Sequence, residues 1–245
     1  MGTRAGLVRH VVVAMLVAAF VGMGFWQLSR LGERRAFNAT LAARSSQPVT
    51  GVGDLIASAT PADVAYRRAR AIGLYDVANE VVLYSRSHDG LSGHHVLTPL
   101  RVGGDAALLV DRGWVPIDFD SPGDERAAPP NGIVTVEGLL APSQVRGRFG
   151  PREVEQGPYE GVFRVDLDLL AEQMPYELLP LFLQLDEQTP PQATGRPIPV
   201  PLPRLDEGPH LSYAIQWFLF AAGLVVGDAA LTTRRRARHD ASRAP

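Results

Sequence analysis

Two long uninterrupted apolar runs bracket a segment in which apolar and polar positions alternate. The first run, Val11 to Leu28, "VVVAMLVAAFVGMGFWQL", holds eighteen uncharged residues. At 1.5 Å per residue that is about 27 Å of helix, close to one hydrocarbon thickness. The second, Leu211 to Gly227, is similar and slightly shorter. Between them the period drops to two. "YRRARAIGLYD", "EVVLYSRS", "GHHVLTPLRV", "AALLVDRGWVP", "GIVTVEGLLAP", "GVFRVDL" and "PLFLQLDE" each read as a strand. Turn chemistry separates several of them, as at His88-Asp89-Gly90, Gly103-Gly104-Asp105 and Asn131-Gly132. "DLDLLAEQM", Asp166 to Met174, has the period of a short helix with an aspartate placed to cap it. Leu28 to Arg44 carries helix formers and no proline, so the first helix continues past the apolar run, and "GDLIAS" adds a turn or two.

The pattern predicts a membrane protein with two transmembrane α-helices flanking a β-rich domain, an antiparallel barrel or sandwich with minor helices. Its segments are residues 1–10 as an N-terminus, 11–28 as the first span, 29–209 as the β-rich domain, 210–231 as the second span and 232–245 as an arginine-rich tail. Within the domain, "SPGDERAAPPNG" and "SQVRGRFGPREVEQGPYEG" are irregular loops. Residues 187–209 form a stiff, extended strap with seven prolines from Pro190 to Pro209.

Charge adds a direction. Five arginines follow the second run, which places the C-terminus in the cytoplasm, and an even number of spans puts the N-terminus there too. The central domain is then extracytoplasmic and the protein a two-span component of the cell membrane. The first run has a rival reading as a signal peptide, with Gly22 and Gly24 ahead of a cut. Its length, and its continuation through Phe25 and Trp26, favour an uncleaved anchor. The segment between the spans carries 17 arginines against 24 acidic residues and no basic stripe, which argues against nucleic acid as a partner. With no cysteine in the chain, the domain stands on its core without disulfides.

Several clusters invite chemistry. His88, Asp89, His94 and His95 lie within eight residues, but neighbours on a strand point to opposite faces, so His94 and His95 do not share one ion. Gly90-Leu91-Ser92-Gly93 lacks the spacing and the strand-to-helix context of a nucleophile elbow, although a triad assembled from distant residues stays open. In "LLVDRGWVP", simple alternation puts Leu108, Val110, Arg112 and Trp114 on one face. Arg112 then sits among apolar neighbours and is expected to form an internal ion pair, with a partner contact as the alternative. Ala14, Ala18 and Gly22, like Gly223 and Gly227, have the spacing of closely approaching helices. His210, Tyr213 and Trp217 fall along one face at the start of the second span. They read either as an aromatic belt or as an axial haem ligand with aromatic walls.

These residues together resemble the Surfeit locus protein 1 family of cytochrome c oxidase assembly factors. Gly24-Phe25-Trp26-Gln27-Leu28 with Arg30 is similar to the family's motif at the end of its first span. Tyr66-Arg67 with Gly73-Leu74-Tyr75-Asp76, Gly93 to Leu100, and Val110 to Pro116 resemble its strands. His210-Leu211, Tyr213-Ala214 and Gln216-Trp217-Phe218 are similar to the start of its second span. His94 departs from the pattern, which usually has an aromatic residue there.

The resemblance implies a non-enzymatic role in binding haem a or helping insert it into the oxidase's catalytic subunit. The partners would be that subunit, haem a biosynthesis or insertion proteins, and membrane lipid. The resemblance would make His210 the iron ligand with Trp217 in support; helical spacing adds Tyr213 and Trp26 around the group and turns its propionates to Arg30 or Arg34 at the interface. Lack of cysteine and scarcity of methionine outside the first span argue against copper delivery, and lack of a C-x-x-C-H argues against thioether-linked haem. Two other readings stay open: a membrane-tethered extracytoplasmic enzyme, and a scaffold for an oxidase intermediate that never touches haem.

Overall fold

The computed structural model describes residues 2–119, 122–147, 160–201, 203 and 205–241. They fall into two compact units, Met1–Thr40 with Leu205–Pro245, and Leu41–Arg204.

The second unit is built on an eight-stranded mixed sheet in the order β1-β2-β6-β8-β5-β4-β3-β7, with a further pairing of β2 to β4. Its strands are β1 (Thr50–Gly51), β2 (Arg68–Tyr75), β3 (Val81–His88), β4 (Leu91–Gly103), β5 (Ala106–Pro116), β6 (Ile133–Pro142), β7 (Gly161–Val162) and β8 (Glu177–Thr189). Short helices α2 (Val52–Ser58), α3 (Pro61–Val64) and α4 (Leu167–Ala171) complete it. The β2–β4 contact, Leu74 with Arg101 and Tyr75 with Leu100, closes β2, β6, β8, β5 and β4 into a five-stranded barrel. The hairpin joining β3 to β4 turns on Asp89 and Gly90, both at positive φ (49° and 81°), the geometry that suits right-twisted strands.

Alternation sorts the apolar side chains into two layers. One contains Ala69, Ala71, Leu100, Leu108, Val110, Val134, Val136, Leu140, Leu181, Leu183 and Leu185, drawn from all five barrel strands, and is closed by Val52, Leu55 and Val64 of α2 and α3. The other lies on the opposite face of β4, β5 and β8, where Leu97, Leu109 and Phe182 pack against Val81 and Leu83 of β3, Val162 of β7 and Leu167 and Leu170 of α4. Asp166 caps α4 by accepting from the Leu169 amide at 3.3 Å, as the sequence implies.

Three expectations need correction. Pairing is not antiparallel throughout: β5 and β8 run parallel, as do β1 with β2 and β3 with β7. The chain between β5 and β8 crosses over through β6, β7 and α4 instead of turning back in a hairpin. The extended strap starts later than residue 187, because Glu187 to Thr189 still belong to β8, where Glu187 pairs with Glu137 and Thr189 with Thr135. Finally, Arg112 and Trp114 do not share a face. Val96 pairs with Gly113 but Leu97 pairs with Asp111, so Arg112 is the extra residue of a β-bulge. Beyond it the alternation is reset, and Trp114 stands opposite His95 on the face that carries Leu97. Gly113, at φ 117°, is required here: a Cβ would lie 2.0 Å from the Ile198 carbonyl oxygen. Ile198 of the strap bonds the Trp114 backbone in both directions, at 2.7 and 2.8 Å.

Arg112 forms the internal ion pair expected of it. Nη1 lies 3.2 Å from Glu80 Oε2, and Nη2 donates to the Ala127 carbonyl (2.7 Å) and to Gln192 Oε1 (2.9 Å). Burial lowers the guanidinium's affinity for its proton, while Glu80 and Tyr75 raise it. The first long loop described above contributes here through the Ala127 carbonyl. The second, residues 143–161, lies largely outside the described residues.

The first unit is a pair of helices. Helix α1 spans Gly2–Ser45 and α5 spans His210–Ala241, so α1 does continue beyond the first apolar run, and its last turn, from Leu41, belongs to the second unit. Both are long and apolar enough to cross a membrane. The chain is thus a membrane protein with a β-rich domain between its two helices.

Candidate functional site

Inside the helix pair the less exposed positions of α1 recur as Val13, Val17, Phe20, Gly24, Gln27, Leu31, Arg34 and Asn38. Those of α5 recur as His210, Ala214, Trp217, Ala221, Leu224 and Asp228. Steps of three and four residues mark one stripe on each helix. The contacts between them run in opposite directions along the chain: Gln27 meets His210, Phe20 meets Trp217, and His10 meets Asp228. The helices are therefore antiparallel.

The small residues that matter are not those expected from spacing. Ala14, Ala18 and Gly22 are exposed, and a Cβ on Gly22, Gly223 or Gly227 would meet nothing within 4 Å. The close approach is at Gly24, where a Cβ would lie 2.6 Å from the Phe218 ring, with Ala214 and Ala221 buried nearby on α5.

Around the start of α5 lies a cleft of about 450 Å³ lined by Arg30, Glu33, Arg34, Phe37, Asp206, Gly208 and His210. Pro209 stands just ahead of the helix, its carbonyl accepting the first helical bond from the Tyr213 amide at 3.1 Å. Just before it the backbone is held to α1: Arg34 Nε and Asn38 Nδ2 donate to the Asp206 carbonyl (3.0 and 2.8 Å), and Arg35 makes a two-pronged pair with Glu207 (2.8 Å for each). These bonds fix where His210 emerges. Its Nδ1 lies 2.9 Å from Gln27 Oε1, and its Nε2 edge faces Gly208, where a Cβ would come within 3.7 Å of Nε2. Gly208 sits at φ 64° and puts no side chain against that edge. One imidazole nitrogen is thus engaged, and the other borders a cleft with two guanidinium groups. Arg30 is paired with Glu33 (2.5 Å) and Arg34 with Asp206 (3.5 Å), so the set can coordinate a metal-bearing group through Nε2 and take up its carboxylates by exchanging these partners.

Of the other residues picked out from sequence, Trp217 shares the His210 face but sits deeper, in a ring cluster with Phe20 (centroids 5.4 Å apart) and Phe220 (5.9 Å). Tyr213 and Trp26 are exposed (45 % and 58 %) and do not line the cleft. Sequence reasoning gave no role to Gln27 or Gly208, although Gln27 lies in the quoted motif and a glycine before Pro209 is itself a sign of a special turn.

The histidine hairpin holds a different arrangement. His94 meets the Tyr84 ring edge-on, 5.2 Å between centroids, while His95 faces the other way and its Nδ1 lies 3.0 Å from Asp111 Oδ2. Among the described residues no group of three histidine or acidic side chains is placed to hold a metal ion.

Known proteins resemble this chain over most of its length. It is 29 % identical over 220 residues to a SURF1-like protein of Mycobacterium bovis, covering 89 % of this chain and 79 % of that one. A SURF1-like protein of Caenorhabditis briggsae is 25 % identical over 224 residues (83 % and 68 % covered), and one of Rickettsia felis is 29 % identical over 107 residues (43 % and 45 %). The profile of the SURF1 family matches residues 14–222, a stretch that holds the barrel, most of α1 and the first part of α5. The chain belongs to the SURF1 family, known generally as oxidase assembly factors.

Proposed function

We propose that this protein binds haem a and helps insert it into the catalytic subunit of a haem–copper terminal oxidase, cytochrome c oxidase. The observation that carries the reading is His210, whose Nε2 edge meets no side chain from Gly208 and which lines one cleft with Arg30 and Arg34. Bound haem a would supply an iron for which imidazole is a common axial ligand. His210 would hold it and Arg30 and Arg34 would pair with its propionates, while Trp217 with Phe20 and Phe220 forms apolar packing deeper in the helix pair. Tyr213 and Trp26 serve as interfacial rings. The role is assembly rather than catalysis. The partners are the oxidase's catalytic subunit and the proteins that make or deliver haem a.

In this reading both termini are cytoplasmic and the barrel is extracytoplasmic in the cell membrane, because five arginines follow α5's apolar run. Reporter fusions after Pro245 and between Ser121 and Pro130 test that orientation. A cytoplasmic signal from the internal fusion overturns it.

The haem reading is tested on protein purified from cells that make haem a, by reduced-minus-oxidised spectra. His210→Ala is expected to abolish or shift the haem a spectrum at a near-normal membrane level, and Trp217→Ala to weaken retention less. An unaltered spectrum in the His210→Ala protein removes His210 as ligand. A wild-type protein free of haem favours the scaffold reading.

A further inference from the structure

A neutral imidazole has one N–H and one lone pair, and only the nitrogen with the lone pair can coordinate a metal. Which nitrogen that is depends on the hydrogen bond made by the other. At His210 the partner is Gln27, whose Oε1 lies 2.9 Å from Nδ1 across the helix pair, 183 residues away in sequence. An amide oxygen only accepts, so this contact places the proton on Nδ1 and the lone pair on Nε2. Nε2 is the atom on the Gly208 side, beside the cleft of Arg30 and Arg34. The reverse amide orientation would donate to Nδ1, move the proton to Nε2 and close that edge to a metal.

We infer that Gln27 is a positioning residue: it holds His210 in the Nδ1–H tautomer, so that Nε2 is presented as a ligand atom. The role in presenting a ligand rests on the haem reading above, whereas the tautomer itself does not. Several features of the helix pair serve this contact. Gln27 and His210 are both partly buried in the stripe between the helices. Gly24, one helical turn before Gln27, admits the Phe218 ring and so allows the approach. Arg34, Asn38 and Arg35 hold Asp206 and Glu207 against α1, which sets the height at which His210 starts its helix. A neutral amide also does this without bringing a second formal charge to an apolar span, where an aspartate or glutamate would be costly.

The test has two arms on the full chain in detergent. In the first, without haem, nitrogen NMR of histidine-labelled protein reads the tautomer of His210 above the histidine titration range, with His210→Ala identifying its signals. The wild type is expected as Nδ1–H. Gln27→Leu is expected to shift toward Nε2–H, the form that free histidine favours in water, while ionised Gln27→Glu, which can only accept, restores Nδ1–H. A wild-type His210 found as Nε2–H, or a tautomer unmoved by Gln27→Leu, overturns the inference.

In the second arm, haem a affinity is expected to fall about 10- to 100-fold in Gln27→Leu, the usual effect of losing a ligand's hydrogen-bond partner, and to stay within a few-fold of wild type in Gln27→Glu. Equal loss in both variants points to packing and overturns the positioning role. If the tautomers respond as expected while His210→Ala keeps its haem spectrum, the haem reading falls and the tautomer assignment stands.

Discussion

In the barrel the largest fully buried side chain is Arg112, with 0 % of its side chain exposed, and its partner Glu80 is 2 % exposed. In the helix pair the polar groups between the helices, Arg9, His10, Gln27, His210 and Asp228, are only partly covered, and they meet in twos and threes. The difference follows from what each unit has to hold it together. Water drives the barrel's apolar layers inward, and its charged network is tolerated only because Glu80, Thr98, Ala127 and Gln192 surround the guanidinium. Between helices in lipid that drive is missing, since the surroundings are as apolar as the side chains. There, register depends on a few specific contacts: Arg9 and His10 with Asp228 at one end, Gln27 with His210 towards the other, and the Phe218 ring against Gly24 between them. A polar contact in the barrel locks a structure that its core already defines. In the helix pair the same kind of contact sets the geometry of the candidate ligand.

The largest expected effect lies in the barrel. Arg112→Ala leaves the Glu80 carboxylate buried without its cation and should destabilise the domain by about 3–5 kcal/mol. The thermal midpoint of the β-sheet circular-dichroism signal should drop accordingly. Replacing Arg112 and Glu80 together by methionine should recover much of that loss, because no unpaired charge remains. A single substitution with an unchanged midpoint would show that the network adds nothing to the barrel.

The second effect should appear in the helix pair alone. Gly24→Leu forces the Phe218 ring aside, since even a Cβ would come within 2.7 Å of two of its atoms. The natural chain has no cysteine, so a pair introduced at Phe20 and Trp217 reports the helix contact without background. Cross-linking of that pair by a short bifunctional maleimide should fall several-fold in Gly24→Leu, with the barrel midpoint moving by no more than about 0.5 kcal/mol. Unchanged cross-linking would mean that the glycine is not what lets the helices meet.

These contrasts also decide what could be read from sequence. The strands from β2 to β6, β8, α4 and both long helices follow from periods of two or 3.6 and from turn residues, because each is a local pattern. Barrel closure does not: it rests on two residue pairs between β2 and β4. The bulge at Arg112 left only one local trace, Gly113 inside a strand pattern, which marks a bulge or a close backbone approach without saying which, and one inserted residue reverses the face of Trp114. In the helices the apolar surface runs all round, so the stripe that faces α5 leaves no amphipathic trace, and spacing alone pointed to Ala14, Ala18 and Gly22 in place of Gly24. His210 was legible as an isolated histidine at the edge of an apolar run. Gln27 was not, since its significance lies in a contact that only the paired helices create.

The smallest effect concerns a polar atom that the barrel leaves unsatisfied. His94 Nδ1 is buried without a hydrogen-bond partner, and its ring packs edge-on against Tyr84. Burial pushes the imidazole's pKa below its ordinary 6.5. In the unfolded chain the same group takes its proton at the ordinary value, so on acidification the unfolded state binds more protons than the folded one. The stability associated with a neutral His94 is therefore fully present above about pH 6.5 and is lost as pH falls through the lower folded value. His94→Phe keeps a ring against Tyr84 and removes both the titration and the unsatisfied nitrogen. Its barrel should match or slightly exceed wild-type stability at pH 8 and gain on the wild type as pH drops to about 5. Thermal midpoints of the two proteins across that range test the sign. A gap that stays constant with pH would show that His94 titrates alike in the folded and unfolded chain, and that its burial carries no electrostatic cost.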